Sequence, residues 1–446
     1  MNGDKRVLAA GTAVALVLGM AGAGIAQPAG PSSTSPQGGE RIGVALPTDA
    51  ADLFARDRNI SVSQRPREGY EARGLRAGTL LLYPKVTATA EYNDNIYATE
   101  GLEEDDVIWR VTPEVSLSSD WNRHAIGAYA RTTLSRYSDA KDENTTDYSV
   151  GANGRMDVLR FTNLRGNIDY SKLTEPRTSP DSPGLAAEPV RYKLGVFGLV
   201  GQHTVNRLRF TARYDARRYD YQSVDRVGGG RVDQSYRDRV IQTYGGRIDY
   251  AVSPASAVFV EVTGNDRNYD YNGSATDLGR DSDGYQVLAG TNFELSALLR
   301  GELAVGYLEQ KFDDARLDKI DGFGVRAELE WFPTQLTTVT FSGSRSVEDS
   351  ATPGSGGYLA NNVGVVVDHE LLRNVILTAR ASYGEDEYDV VGRRDERQAA
   401  GLSATYLLNR GLGVTGGWSF DRRDVVKGVG VGYKQHKVFA TLTAQF

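Results

Sequence analysis

Residues Val107 to Asp139 read VIWRVTPEVSLSSDWNRHAIGAYARTTLSRYSD. Trp109, Val111, Pro113, Val115 and Leu117 alternate with Arg110, Thr112, Glu114, Ser116 and Ser118. Asp120-Trp121-Asn122 interrupts the pattern. Ile126, Ala128, Ala130 and Leu134 then alternate with Gly127, Tyr129, Arg131 and Thr133. A period of two sends successive side chains to opposite faces, so the stretch predicts two strands and a turn. Runs of about 10–15 residues outlast the usual soluble strand of about 5–6.

The texture continues to the last residue. Leu208, Phe210, Ala212 and Tyr214 oppose Arg209, Thr211 and Arg213; Phe323, Val325, Ala327 and Leu329 oppose Gly324, Arg326 and Glu328. Short turns are expected near Trp121, Leu159, Gln202, Pro254, Ala297, Pro333, Leu372 and Asn409. Long polar loops are expected at 94–105, 138–146, 174–190, 221–235, 270–283, 312–319, 346–357, 385–395 and 422–434. Short turns on one side and long loops on the other mark an outer-membrane barrel. The prediction is an all-β, transmembrane, antiparallel up-and-down barrel of about 18 strands (range about 16–20) with a periplasmic N-terminal extension. A soluble sandwich would show the same alternation. Strand length, the rhythm of connectors and the leader favour the barrel.

The composition agrees. The 446 residues include 50 Gly and 24 Tyr but 3 Met and no Cys. A mean hydropathy of −0.41 is too polar for a helical membrane protein. The net charge of −7 lacks the basic footprint of a nucleic-acid partner. Residues 1–26, with Lys5, Arg6 and an Ala/Gly-rich apolar run ending at Ala26, have the layout of a secretory signal peptide, the alternative being an uncleaved anchor. Residues 27–78 are expected to be a periplasmic linker and extension, Pro/Ser/Gly-rich at first, with one short helix over 47–58. The barrel is expected over 79–446, with both termini periplasmic.

EYNDNIYATE, Glu91 to Glu100, crowds oxygen ligands as a calcium site would. An EF-hand loop needs D-x-[DN]-x-[DN]-G with Glu in the twelfth position, and that order is absent. The strand register instead makes this the top of the first strand, with Tyr92 in an aromatic belt and Asn93-Asp94-Asn95 turning the chain. The acids Glu103 to Asp106, Asp142-Glu143, Asp313-Asp314 and Glu385 to Glu387 with Asp389 read as solvated loops, or as ligands for cations that bridge lipopolysaccharide.

Gln64 to Glu100 resembles the opening segment of a family of outer-membrane β-barrel porins, the second family of that name. The matching pieces are Arg65-Pro66, Tyr70, Gly74, Gly78, Tyr83-Pro84 and Tyr92 to Asn95, joined by Trp121 to Ala125 and Phe446. The resemblance implies a barrel in a Gram-negative outer membrane, often linked to exopolysaccharide genes, and supplies no catalytic residue. Phe446, closing an amphipathic last strand, resembles the signal read by the barrel assembly machinery.

His124, His203, His369 and His436 fall on different hairpins, and HELLR at 369–373 lacks the second His of a zinc-protease helix. No catalytic residue, cofactor or metal is expected. By alternation Arg110, Arg131, Arg155, Arg165, Arg207, Arg209, Arg213, Arg217, Arg239, Arg247, Arg267, Arg326 and Arg380 face the lumen, accompanied by acids such as Asp249, Glu261 and Glu330. They serve as cross-strand ladders, as an anion-selective lining, or as both. The expected function is a solute channel, with secreted polysaccharide as one cargo. A gated or plugged structural barrel with periplasmic partners is the alternative, and an outer-leaflet enzyme comes third. Expected partners are outer-membrane lipid, lipopolysaccharide, the assembly machinery and polysaccharide-export proteins. The loop 174–190, with four prolines, is expected to fold into the mouth.

Overall fold

The computed structural model describes residues 60–446 other than 185, 272, 275, 276, 353 and 389. The expected leader, linker and short helix fall outside the described residues.

The eighteen long strands are β1 (Leu80–Asn93), β2 (Asp106–Ser119), β3 (Ala125–Tyr137), β4 (Thr145–Leu159), β5 (Thr162–Thr174), β6 (Arg191–Val205), β7 (Leu208–Tyr221), β8 (Arg239–Ser253) and β9 (Ser256–Tyr269). They continue as β10 (Ser282–Leu295), β11 (Leu299–Phe312), β12 (Ile320–Thr334), β13 (Thr337–Asp349), β14 (Gly357–Leu372), β15 (Val375–Tyr388), β16 (Arg393–Leu407), β17 (Leu412–Lys427) and β18 (Tyr433–Gln445). Each pairs antiparallel with its chain neighbours, and β18 returns to β1 from Lys85↔Gln445 to Asn93↔Lys437. Closure is what lipid demands, since an open edge there would leave backbone groups without partners.

The alternation sorts the two faces. Ile168, Val305, Phe323, Val363 and Leu402 stand exposed on the outside. Tyr92, Tyr148, Tyr170, Tyr285, Tyr307 and Tyr383 share that face toward the loop side and supply an aromatic belt. Inside, hydroxyl and amide side chains tie neighbouring strands, as in Thr89 Oγ1 to Thr441 Oγ1 at 2.8 Å and Gln310 Nε2 to Ser282 Oγ at 2.9 Å. Val305 is 64% exposed, yet Val305→Arg is expected to cost about 2–4 kcal/mol in a bilayer, because that face meets hydrocarbon. Urea unfolding in lipid vesicles measures this; an unchanged midpoint would contradict a lipid-facing Val305.

Most connectors sit where the sequence placed them. The turn expected near Gln202 falls later, at Asn206-Arg207, where Asn206 takes φ 54°. The turn expected near Pro333 falls at Gln335-Leu336. The last two outer loops are shorter than expected, because Glu385, Asp386 and Arg394 continue as strand around the first of them and β17 runs on to Lys427 before the second. Arg397 Nε bonds Asp386 Oδ2 at 2.7 Å, and Arg394 pairs with Glu385. Charged residues that read as loop are cross-strand partners.

EYNDN is a strand end. Asn93 Oδ1 accepts the Asn95 N–H at 3.0 Å, and fully buried Asn95 donates to the carbonyls of Thr99 and Lys434. Glu91 faces inward toward Arg110 at 3.5 Å.

β13 leaves one neighbour early on the loop side. It follows β14 up to Asp349↔Gly357 but follows β12 only as far as Arg345↔Val325. Beyond that point Ser346 to Asp349 bend inward and become buried. Val347 joins Leu308, Phe312, Leu317, Ile320 and Leu359 in a small apolar core.

Candidate functional site

Two loops and one strand end meet on the loop side of the lumen. Asp349 lies four strands from β9 and five from β8. It nevertheless accepts from Arg239 Nε of β8 at 3.0 Å and from Arg267 Nη1 of β9. Both guanidiniums are buried, and Arg267 also donates to the Val347 carbonyl at 3.0 Å. Arg239 lies over the rings of Tyr219, at 4.6 Å, and Tyr269, at 5.5 Å. The turned-in end of β13 is therefore fastened to the wall four and five strands away.

The loop 175–190 enters from another side. Glu175 receives Arg237 in a two-pronged pair at 3.0 and 2.6 Å. Arg177 forks onto buried Glu143 at 3.1 and 2.5 Å. The Thr178 carbonyl accepts from Arg423 of β17 at 3.3 Å. Ala186, Val190 and Val224 form an apolar cluster, and an Ala186↔Arg226 bridge ties this loop to 222–238. Asp181 Oδ1 accepts the Ala351 N–H at 2.8 Å, which joins the two intrusions.

Burial pushes the Asp181 carboxyl up to about 6. Glu175 acts in the same direction, while Arg237, the Ala351 N–H and Arg280 oppose it. A carboxyl raised on docking favours the docked loop while it is protonated. The docked state thus has its full stability below the ordinary carboxylate range and loses it as pH rises through about 6. Amide protection around residues 178–182, relative to the intrinsic exchange rate at each pH, is expected to fall between about pH 4 and pH 6 and then level off. Asp181→Asn should flatten that profile.

Deeper in the lumen lies an ion-pair cluster on β7 to β12. Glu261 Oε1 accepts from Arg213 Nη2 and Arg326 Nη1, both at 3.0 Å. Arg247 binds Asp249 at 2.8 Å and Glu302 at 2.8 Å, and stacks 3.6 Å from the Phe259 ring centre. Arg326 also reaches Glu302 at 3.0 Å. Three arginines face three carboxylates.

The thirteen expected lumen arginines therefore divide. Arg110, Arg155, Arg213, Arg217, Arg239, Arg247, Arg267 and Arg326 are ion-paired. Arg131, Arg165, Arg209 and Arg380 stand half-buried at inward positions. Arg207 does not line the wall. It lies exposed in the Asn206-Arg207 turn, because β6 runs on to Val205. The acidic stretches are partly structural. Glu143 holds Arg177, Asp106 accepts the N–H groups of Asp139 and Ala140, and Asp314 holds Arg316.

The family described as "Putative beta-barrel porin 2" matches residues 67–446. The chain belongs to this family. Its fold and that membership place this porin-family chain in the outer membrane. Solved barrels with similar folds include the copper transporter OprC, at 10% identity and TM-score 0.47, covering 84% of this chain and 82% of that one. OpdL of Pseudomonas aeruginosa shows 13% identity and TM-score 0.44, with 83% and 100% covered. OccAB3 of Acinetobacter baumannii shows 12% and 0.45, with 83% and 100% covered. No curated protein matches the chain.

The sequence pointed to the loop 174–190 but not to its anchors. Glu175, Asp181, Arg237 and Asp349 lie in or beside loops, where no periodicity assigns a face.

Proposed function

We propose that this barrel is a gated, non-enzymatic channel for hydrophilic solutes, with its turns in the periplasm and its loops outside. The carrying observation is the latch in the loop-side mouth. Asp349 joins β13 to β8 and β9, and the Asp181–Ala351 bond adds the loop 175–190. Such a device has a use only where something passes. Eighteen strands leave room for an aqueous lumen, and the half-buried inward Arg131 and Arg380 favour anions.

A polysaccharide cargo is the finer reading. It draws on the family resemblance and on the half-buried inward tyrosines Tyr192 and Tyr221, whose ring centroids lie 5.1 Å apart. Flat rings near a mouth suit sugar faces. Planar-bilayer recording of the refolded barrel under a salt gradient tests the channel. Brief openings with an anion-favouring reversal potential are expected. A correctly folded barrel that never conducts would sink the reading and leave a structural barrel.

A further inference from the structure

The turn side of the lumen is also occupied. Residues 61–71 form a compact knot of two turns, closed by Gln64 N–H to the Ser61 carbonyl at 3.0 Å and Tyr70 N–H to the Arg67 carbonyl at 2.9 Å. Ser61 and Val62 are buried. The knot is seated on β13 and β14. Val62 N–H donates to Thr338 Oγ1 at 2.9 Å, and Arg65 Nη1 donates to Glu370 Oε2 at 3.0 Å. Arg65 also reaches the Gln335 carbonyl, and Arg67 lies 3.8 Å from Glu370. Thr338, Asp368 and Glu370 are buried at inward positions.

Three features make this a contact built to open. The wall groups are acceptors toward the knot: a carboxylate, a backbone carbonyl and a hydroxyl oxygen, with the Asp368 carboxylate close by. That set suits the donor fork of a guanidinium. Arg65 keeps 28% of its side-chain surface exposed, so a competitor can reach the pair. The path from Arg67 to β1 passes through Gly69, in the knot's second turn, and then Gly74 and Gly78, at φ 95°, 70° and 65°, a region open to glycine at no steric cost. At Gly74 the Tyr83 ring would stand 2.7 Å from any Cβ, so the chain is pinned there and can swing beyond it.

We propose that residues 61–67 are a removable plug latched in the turn-side opening by Arg65 and Arg67, and that the site accepts an arginine-bearing segment of a partner protein in their place. The plug is tethered, so its effective concentration is of millimolar order. A partner must offer more than one arginine to displace it.

The natural chain has no cysteine, so one introduced thiol reports the plug. Val62→Cys buries that thiol while the knot is seated, and its rate with a polar maleimide follows release. In the refolded full chain the thiol is expected to react slowly. Adding Arg65→Ala and Arg67→Ala is expected to raise the rate by about tenfold or more, the ratio that ~1.4 kcal/mol of lost attraction produces. Tetra-arginine peptide at millimolar concentration is expected to do the same, saturably, and to add nothing in Glu370→Gln. Retained heat-modifiable migration in gels confirms that each variant is folded. An unchanged rate in the double-alanine chain overturns the plug. A peptide without effect on a chain that the alanines do release overturns the partner site. The readout needs no conduction, so failure of the channel reading would appear separately.

Discussion

Asp349→Ala is expected to lower stability by about 3–5 kcal/mol, the usual cost of stripping one partner from a buried ion pair. The effect belongs at the upper end, because one carboxylate serves both Arg239 and Arg267. Without it two buried guanidiniums lose their shared counter-charge, and the turned-in end of β13 loses its hold on β8 and β9. Protease cleavage within 350–356 should appear, and openings in a bilayer should lengthen. The membrane-spanning ladders do not include Asp349's ion pairs, so the barrel itself should still form. Unchanged protease resistance would mean that the apolar core around Val347 holds the segment unaided.

Glu261→Gln is expected to act on selectivity as strongly as on stability. The cluster of Arg213, Arg247 and Arg326 with Glu261, Asp249 and Glu302 balances three charges against three. Removing one negative charge from its centre, where Glu261 is 2% exposed, should cost about 3–5 kcal/mol. It also leaves a net positive charge beside the lumen, so the reversal potential should move toward anions. Arg326→Gln should move it the other way. If neither variant shifts the potential, the cluster is a wall ladder that permeating ions do not sense.

The strands were legible because a barrel repeats one rule: apolar out to lipid, polar in. Leu208 to Tyr214 and Phe323 to Leu329 reveal their faces without any knowledge of partners. Closure, the approximate strand number and most loop positions follow from counting. Contacts between parts of the chain far apart in sequence did not follow. Asp349 meets Arg239 across 110 residues, and Arg65 meets Glu370 across 305 residues. Neither sits in a local pattern, and an arginine facing inward reads alike whether it meets solute or a carboxylate. Arg207 shows the related failure at element ends. A four-residue shift of a turn, from Gln202 to Asn206, takes a side chain out of the wall altogether.

The ladder between β1 and β18 has a bearing on how fast the molecule can be made. Its partners lie about 350 residues apart in the chain, whereas most other strand pairs are joined by a few residues. Local hairpins can zip one after another at modest entropic expense, but this ladder must gather two distant strands before it returns any energy. Until it does, β1 and β18 are two unsatisfied edges, each able to pair with another chain. The ring-closing register, with Phe446 N–H on the Pro84 carbonyl at 3.1 Å, is therefore the kinetic bottleneck and the point at which intermolecular pairing ceases to compete.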